Sequence, residues 1–360
     1  MRPPCFARRL AVVSLVGLAA LALAAAPARG EDRLERFRAV AREELAVAAD
    51  AAERERVVGR LYELVDGEVL DSLRGDEPFS SLVFIRDRLD ALMEAWGGAT
   101  LRVLRIPAAG SRGLLTVGLY SLTGVEGSGS LRLYAGTGPS ATLAAVSTHD
   151  GLLDAQVWPA GADRVARVLA LWSGPPAAQG VRALRAELWE SRERDRVQPA
   201  WTTSGQWPGG LWVSDWRTQP GELVFRYQPR YPGWKPGCIG QTEQEEHYRL
   251  TAAGTLALAR RQVLNGWHRE LGAVAEGLFR ALAADDAAAL ARVVPAPALR
   301  RRLPRGLVAE PVCEQPPAGP RAEVTMAATE LRGGRRVPWT LAWTRGPAGW
   351  RLTSAKPVLQ

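Results

Sequence analysis

From Ala99 onward the chain alternates apolar and polar residues in short runs, and this period of two limits the fold more than any other feature. The runs cover 100–106, 113–120, 130–135, 141–147, 152–158, 165–172, 181–190, 210–216, 221–229, 246–250 and 255–263. Gly, Pro, Ser or Asp stands in the breaks, as strand connections require. Strands in series with short turns pair antiparallel, so 99–263 reads as an all-β meander forming a sandwich or open barrel. A propeller-like arrangement is the alternative. Leu133-Tyr134, Leu171-Trp172 and Leu211-Trp212 recur at spacings of 38 and 40, close to a blade period.

The β region is flanked by helical periodicity. Leu34, Phe37, Ala41, Leu45, Ala48 and Ala52 step by three and four with an Arg/Glu-rich opposite face, predicting helix over residues 31 to 74, interrupted at Gly59 and Gly67. A second helix carries Leu82, Ile85, Leu89, Leu92 and Trp96 and ends at Gly97-Gly98. After the β region, Asn265 is positioned to cap a helix bearing Trp267, Leu271, Val274, Leu278 and Leu282. Asp285 opens a shorter helix that Pro295 stops, and three strands follow at 321–331, 336–345 and 349–355. The whole reads as a multi-domain α+β protein: 29–98 helical, 99–263 antiparallel β, 264–360 α+β.

The order of long helix, capped short helix and closing meander, ending in Gly349-Trp-Arg-Leu352, resembles the SnoaL-like, cystatin-like α+β cone superfamily. The resemblance covers about the last 95 residues. It implies a cone that is either a small enzyme or a non-catalytic ligand and partner module. The enzymes of that superfamily place His or Asp in the cone, whereas the C-terminal strands here hold neither. That departure from the superfamily's enzymes argues for the non-catalytic kind.

The N-terminus has the three parts of a secretory signal. Arg2, Arg8 and Arg9 precede an apolar run from Leu10 to Ala26, and Ala26-Pro27-Ala28 is a small-x-small cleavage site. Residues 1–28 are thus expected to be removed. Cys5 precedes the apolar run, so it is no lipoprotein cysteine. A periplasmic or secreted product without a membrane span is expected. Its processed chain keeps two cysteines, Cys238 and Cys313. In an oxidising compartment such a pair predicts one disulfide.

Losing three arginines lowers the formal charge of +8, and the remaining arginines interleave with Asp and Glu except at Arg300-Arg-Arg302. A nucleic-acid surface would show a clustered basic face, so nucleic acid is not an expected partner. With three histidines and no CxxC, neither a metal centre nor a cofactor is expected.

The candidate polar clusters are ordinary structure on this reading. His149-Asp150-Gly151 with Asp154 offers cation ligands, but Asp-Gly is what a hairpin turn needs. Glu243, Glu245, Glu246 and His247 surround a histidine with carboxylates, and strand alternation lets Glu245 share a face with His247 while excluding Glu246. His268 opens the helix after Trp267 and is a candidate pocket residue. No nucleophile elbow, zincin, phosphate-loop or dinucleotide signature occurs.

The sharpest candidate is the Trp201–Trp267 stretch, which includes Tyr231-Pro-Gly-Trp-Lys-Pro-Gly-Cys238. Trp207, Trp212, Trp216 and Trp234 are candidate ligand-binding residues. Flat aromatic platforms beside polar groups suit sugar rings, while the same residues would also serve a core or a domain joint. Trp212 and Trp216, four apart, are expected on one strand face. The functional expectation is a non-catalytic binding or scaffolding protein of the bacterial envelope, with a glycan or envelope protein as partner. The alternative is a hydrolase of envelope glycans with Asp215 and Glu222 as its acid pair. Position also predicts that Cys238 ties the stretch to the C-terminal region as a joint.

Overall fold

The structure, a computed structural model, describes residues 31–44, 50–107, 114–122, 124–125, 127–158, 165–193, 196–310, 313 and 322–358. The expected signal peptide lies outside these residues. Among them are six α-helices and sixteen strands, all paired antiparallel, in a mostly β α+β fold without a closed barrel.

The first helices are α1 (Glu31–Ala39), α2 (Ala51–Arg74) and α3 (Leu82–Trp96). Asp50 caps α2 by accepting from the Glu53 amide at 2.8 Å, and Ser81 caps α3 through the Phe84 amide at 3.2 Å. Gly97 closes α3 in the left-handed conformation, φ 79°. Contrary to expectation, α2 runs unbroken through Gly59 and Gly67. Gly67 serves packing instead. A Cβ there would lie 3.3 Å from the Arg33 guanidinium, which crosses α2 to reach Glu68 at 3.0 Å and Asp71 at 2.7 Å.

Strands β1 (Thr100–Pro107), β2 (Leu114–Ser121), β3 (Gly129–Ala135) and β4 (Thr142–His149) form one meander sheet. Its two faces follow from the alternation. Leu101, Val103, Tyr120 and Tyr134 pack with Leu61, Val65, Leu89 and their neighbours on the helices. Leu115, Val117, Leu119, Leu131 and Leu133 face the second sheet. The helices of 29–98 therefore share their core with the first sheet. A buried polar cluster pins them together. Asp66 of α2 accepts from Arg132 at 2.8 Å and from the Tyr134 hydroxyl at 2.5 Å, and the Tyr134 and Tyr120 hydroxyls lie 2.7 Å apart.

The second sheet has eight strands: β5 (Leu152–Trp158), β6 (Ala166–Ser173), β7 (Arg182–Glu193), β8 (Arg196–Thr202), β9 (Leu211–Gln219), β10 (Glu222–Tyr227), β11 (Glu243–Leu250) and β12 (Leu256–Leu264). It is one continuous sheet ordered β12-β11-β10-β9-β7-β6-β5, with β8 beside β7, and so is not divided into propeller blades. Val168, Ala170 and Trp172 of β6 face the first sheet. Leu169 and Leu171 face a second core that also holds Trp158, Leu223, Phe225 and Tyr248. One core therefore joins β5 to β11, which means that the sheet curls around it.

The C-terminal part comprises α4 (Gly266–Ala284), α5 (Ala287–Val293), α6 (Pro297–Arg300) and the meander β13 (Leu307–Ala309), β14 (Glu323–Arg332), β15 (Arg335–Gly346) and β16 (Gly349–Pro357). Leu271, Leu278 and Leu282 of α4 pack on Leu341, Trp343 and Leu352 of that sheet. The helix caps differ from expectation by local backbone geometry. Asn265 is left-handed, φ 51°, with no side-chain capping bond. Asp285 is also left-handed, φ 56°, and ends α4. Asp286 caps α5, accepting from the Ala288 and Ala289 amides at 3.0 and 2.9 Å.

Candidate functional site: an aromatic cleft

Three of the four candidate tryptophans meet at one place. Trp207 follows β8, Trp212 is the second residue of β9, and Trp234 sits in the loop between β10 and β11. Together with Tyr227, Gln228 and Arg230 they line an open cleft of about 520 Å³ at the strand ends. Trp212 is 54% exposed, unusual for the largest apolar side chain. Trp207 is half-buried, with ring centroids 6.4 Å from Phe225 and 6.1 Å from Tyr227, so it belongs partly to the core.

Trp216 does not join them, contrary to expectation. Asp215 pairs with Arg226 and Val213 with Tyr227, leaving Ser214 as an extra residue in β9. Such a bulge inverts the alternation beyond it. Trp212 therefore faces outward while Trp216 packs on the core inside the curled sheet.

The loop carrying Trp234 is fixed by side chains within it. Gln241 is buried; its carbonyl accepts from the Lys235 amide at 2.8 Å, and its amide nitrogen donates to the Lys235 and Cys238 carbonyls at 2.6 and 3.0 Å. The Trp234 indole donates to Gln228 Oε1 at 3.3 Å. Outside the cleft the loop docks on α4. Cys238 is bonded to Cys313 with Cα atoms 5.3 Å apart. The Tyr231 hydroxyl lies 2.8 Å from His268 Nδ1 and accepts from the Thr242 amide at 3.0 Å. His268 thus belongs to this joint and its small cavity of about 40 Å³, not to the aromatic cleft.

The acidic run of β11 divides between the faces as alternation requires. On the outer face His247 lies 3.0 Å from Glu245 and 3.3 Å from Glu222. Glu245 also accepts from Arg226 at 2.9 Å, and that bond, followed by the one to His247, holds its carboxyl below the usual range. Glu222 is lowered by its bonds to Gln219, His247 and Arg249. Glu246 faces inward, fully buried, and accepts from Tyr227, Tyr248, Gln244 and Arg261. Glu222, Glu245 and Glu246 each accept from several donors, as structural acids do.

Asp215 and Glu222 do not make an acid pair. Glu222 lies opposite Gln219, four residues along β9 from Asp215. At about 3.3 Å per residue they stand ~13 Å apart. Glycoside hydrolysis uses separations of about 5–5.5 or 6.5–9.5 Å.

A cluster that local motifs could not reveal joins β4 to β7. Ser147 Oγ and His149 Nε2 both contact Glu187, each at 2.8 Å, and lie 3.1 Å from one another. The composition is that of a Ser-His-acid triad, but the geometry is not. A catalytic histidine uses one nitrogen for serine and the other for the acid. Here one nitrogen meets both, and the serine donates to the glutamate. Asp150 is exposed and Asp154 accepts from the Ala155 amide at 2.9 Å, leaving the turn reading in place. No cluster of His, Cys, Asp or Glu among the described residues could hold a metal.

Glu187 supplies a test of this account. Burial pushes its carboxyl up, but hydrogen bonds from His149, Ser147 and Trp189 outweigh burial and hold it below its ordinary 4.5. A lowered folded pKa stabilises the fold above the unfolded value, and that stability is lost as pH falls through the folded pKa. Glu187→Gln is therefore expected to reduce the melting temperature near pH 7 and to flatten its fall below about pH 4.5. Parallel melts from pH 3 to 7 check this; an unchanged acid slope would rule it out.

Among the described residues, no helix is long and apolar enough to cross a membrane, and the two cysteines of the expected mature chain stand at disulfide distance. Comparison with family models, curated proteins and solved structures finds no match to this chain.

Proposed function

We propose that the protein is a non-catalytic binding protein of the bacterial envelope, working outside the cytoplasm, with the aromatic cleft as its glycan site. The observation that carries this reading is the convergence of Trp207, Trp212 and Trp234 on one open cleft. Clefts of about 300–1,000 Å³ with aromatic walls and few polar groups suit small ligands. The disulfide supports an oxidising compartment, where glycans are met. The C-terminal α+β unit is read as a cone-like module that anchors the cleft's loop, a scaffolding role with no chemistry of its own.

Trp212 and Trp234 are the clean probes, because Trp207 and Trp216 also fill the core. Trp212→Ala and Trp234→Ala are each expected to weaken capture by immobilised envelope polysaccharides up to about tenfold, the loss of one aromatic contact of ~0.5–1.5 kcal/mol. Trp212→Ala should leave stability within ~0.5 kcal/mol, as surface changes do. Polysaccharide capture that survives both substitutions would refute the assignment of the site.

A further inference from the structure

The cleft holds a preference that its aromatic walls alone do not supply. Among the described residues lining it, Arg230 is the only charged one, and none is Asp or Glu. Three of the neutral polar side chains lining it already spend hydrogen bonds within the protein. Ser214 Oγ lies 3.2 Å from both the Arg226 carbonyl and Glu243, which share its one proton. The Tyr227 hydroxyl donates to Glu246 and accepts from Gln244. Gln228 Oε1 accepts from Trp234 and, at 3.4 Å, from Gln241.

Arg230 differs from these groups. It is exposed, and it has no hydrogen bond or ion pair among the described residues. Its guanidinium carbon lies 5.5 Å from the centroid of the Trp234 ring. The arginines of the neighbouring sheet face are placed otherwise: Arg217, Arg226 and Arg249 each reach a glutamate. A guanidinium held against an indole keeps its N–H donors available, and their fork matches a carboxylate.

We infer that the cleft takes an acidic oligosaccharide, its sugar rings against Trp212 and Trp234 and a carboxylate on Arg230. Stacking gives the affinity and Arg230 gives the selection for charge. This rests on the glycan reading above and adds the class of glycan. Arg230 is a specificity residue, with no part in holding the fold.

Calorimetric titration of the full processed protein, disulfide intact, tests it with three length-matched probes: oligogalacturonate, neutral cello-oligosaccharide and a poly-glutamate peptide. Oligogalacturonate is expected to bind about two- to fivefold tighter than the neutral oligomer, an exposed charged pair being worth that much. The preference should shrink with added salt. Arg230→Ala should bring the two saccharides level at an unchanged melting temperature, and Arg230→Lys should keep part of the difference. Equal binding of both saccharides to the unaltered protein, or an acid preference that survives Arg230→Ala, overturns the inference while leaving the glycan reading intact. Poly-glutamate binding as tightly as oligogalacturonate overturns it by making charge alone the determinant. Binding of neither saccharide, with Trp212→Ala indistinguishable from the unaltered protein, overturns both readings.

Discussion

Arg132→Met is expected to cost ~3–5 kcal/mol of stability at neutral pH, because it strands a buried carboxylate. Arg132 and Asp66 are 7% and 6% exposed and meet at 2.8 Å across the boundary between α2 and β3. The Arg132 guanidinium also lies 5.1 Å from the Tyr62 ring centroid. Burial already holds the Asp66 carboxyl above its usual range, against the pull of Arg132 and the Tyr134 hydroxyl. Removing the arginine pushes it higher still. A raised folded pKa favours the fold below the unfolded value, and that contribution is lost as pH rises through the folded pKa. The penalty of Arg132→Met should therefore be smaller at pH 5 than at pH 8. Urea titrations at the two pH values check the sign. Asp66→Asn, which leaves the arginine unpaired, should cost a similar amount. The double variant should recover much of the summed loss, since it removes both charges. Strict additivity would show that the pair is not coupled. Hydrogen exchange should quicken first along Val57–Leu73, the face of α2 that this cluster holds to the sheet.

Asp66 also illustrates what the sequence leaves unread. It sits among Glu63, Glu68 and Asp71 on an amphipathic helix, where one acid looks like another. Only the tertiary partner on β3, 66 residues away, distinguishes it. The strands, by contrast, are legible nearly to their ends, because alternation and Gly/Pro breaks are local signals. Two strands escape, β8 and the three-residue β13 (Leu307–Ala309), and β8 shows the cause. Strand β8 contains Pro199 and follows the charged run Arg192–Arg196, so it shows neither signal. Its proline is tolerated because β8 pairs only with β7. The bulge at Ser214 was equally hidden: one extra residue has no signature in composition, yet it sends Trp216 inward and leaves Trp212 to the cleft. The cysteine pair was legible by count alone. The polar triangle of Ser147, His149 and Glu187 was not, because its members come from two strands about 40 residues apart.

The second large effect is expected at the joint, from adding a single methyl group. Gly272 lies on the buried face of α4. A Cβ there would run into the Pro232 carbonyl oxygen, and Gly233 approaches the same point. In an isolated helix Gly→Ala stabilises by up to ~1 kcal/mol. Here the sign should reverse, to a net loss of ~1–3 kcal/mol, because the backbone of the loop must move away. Gly277→Ala on the same helix meets nothing within 4 Å and serves as the control, expected to stabilise. The disulfide sharpens the comparison. Cys238→Ser with Cys313→Ser opens a loop with a sequence separation of 75, at a cost of up to ~4–5 kcal/mol. It also frees the loop to relax around an added methyl, so the penalty of Gly272→Ala should be smaller without the disulfide than with it. The loop that would move carries Trp234 and Arg230, so Gly272→Ala should also weaken saccharide binding, although neither its site nor its chemistry touches the cleft. Loss of stability without loss of binding would mean that the cleft wall holds its place independently of α4. Loss of both together would mean that the joint sets the position of the site.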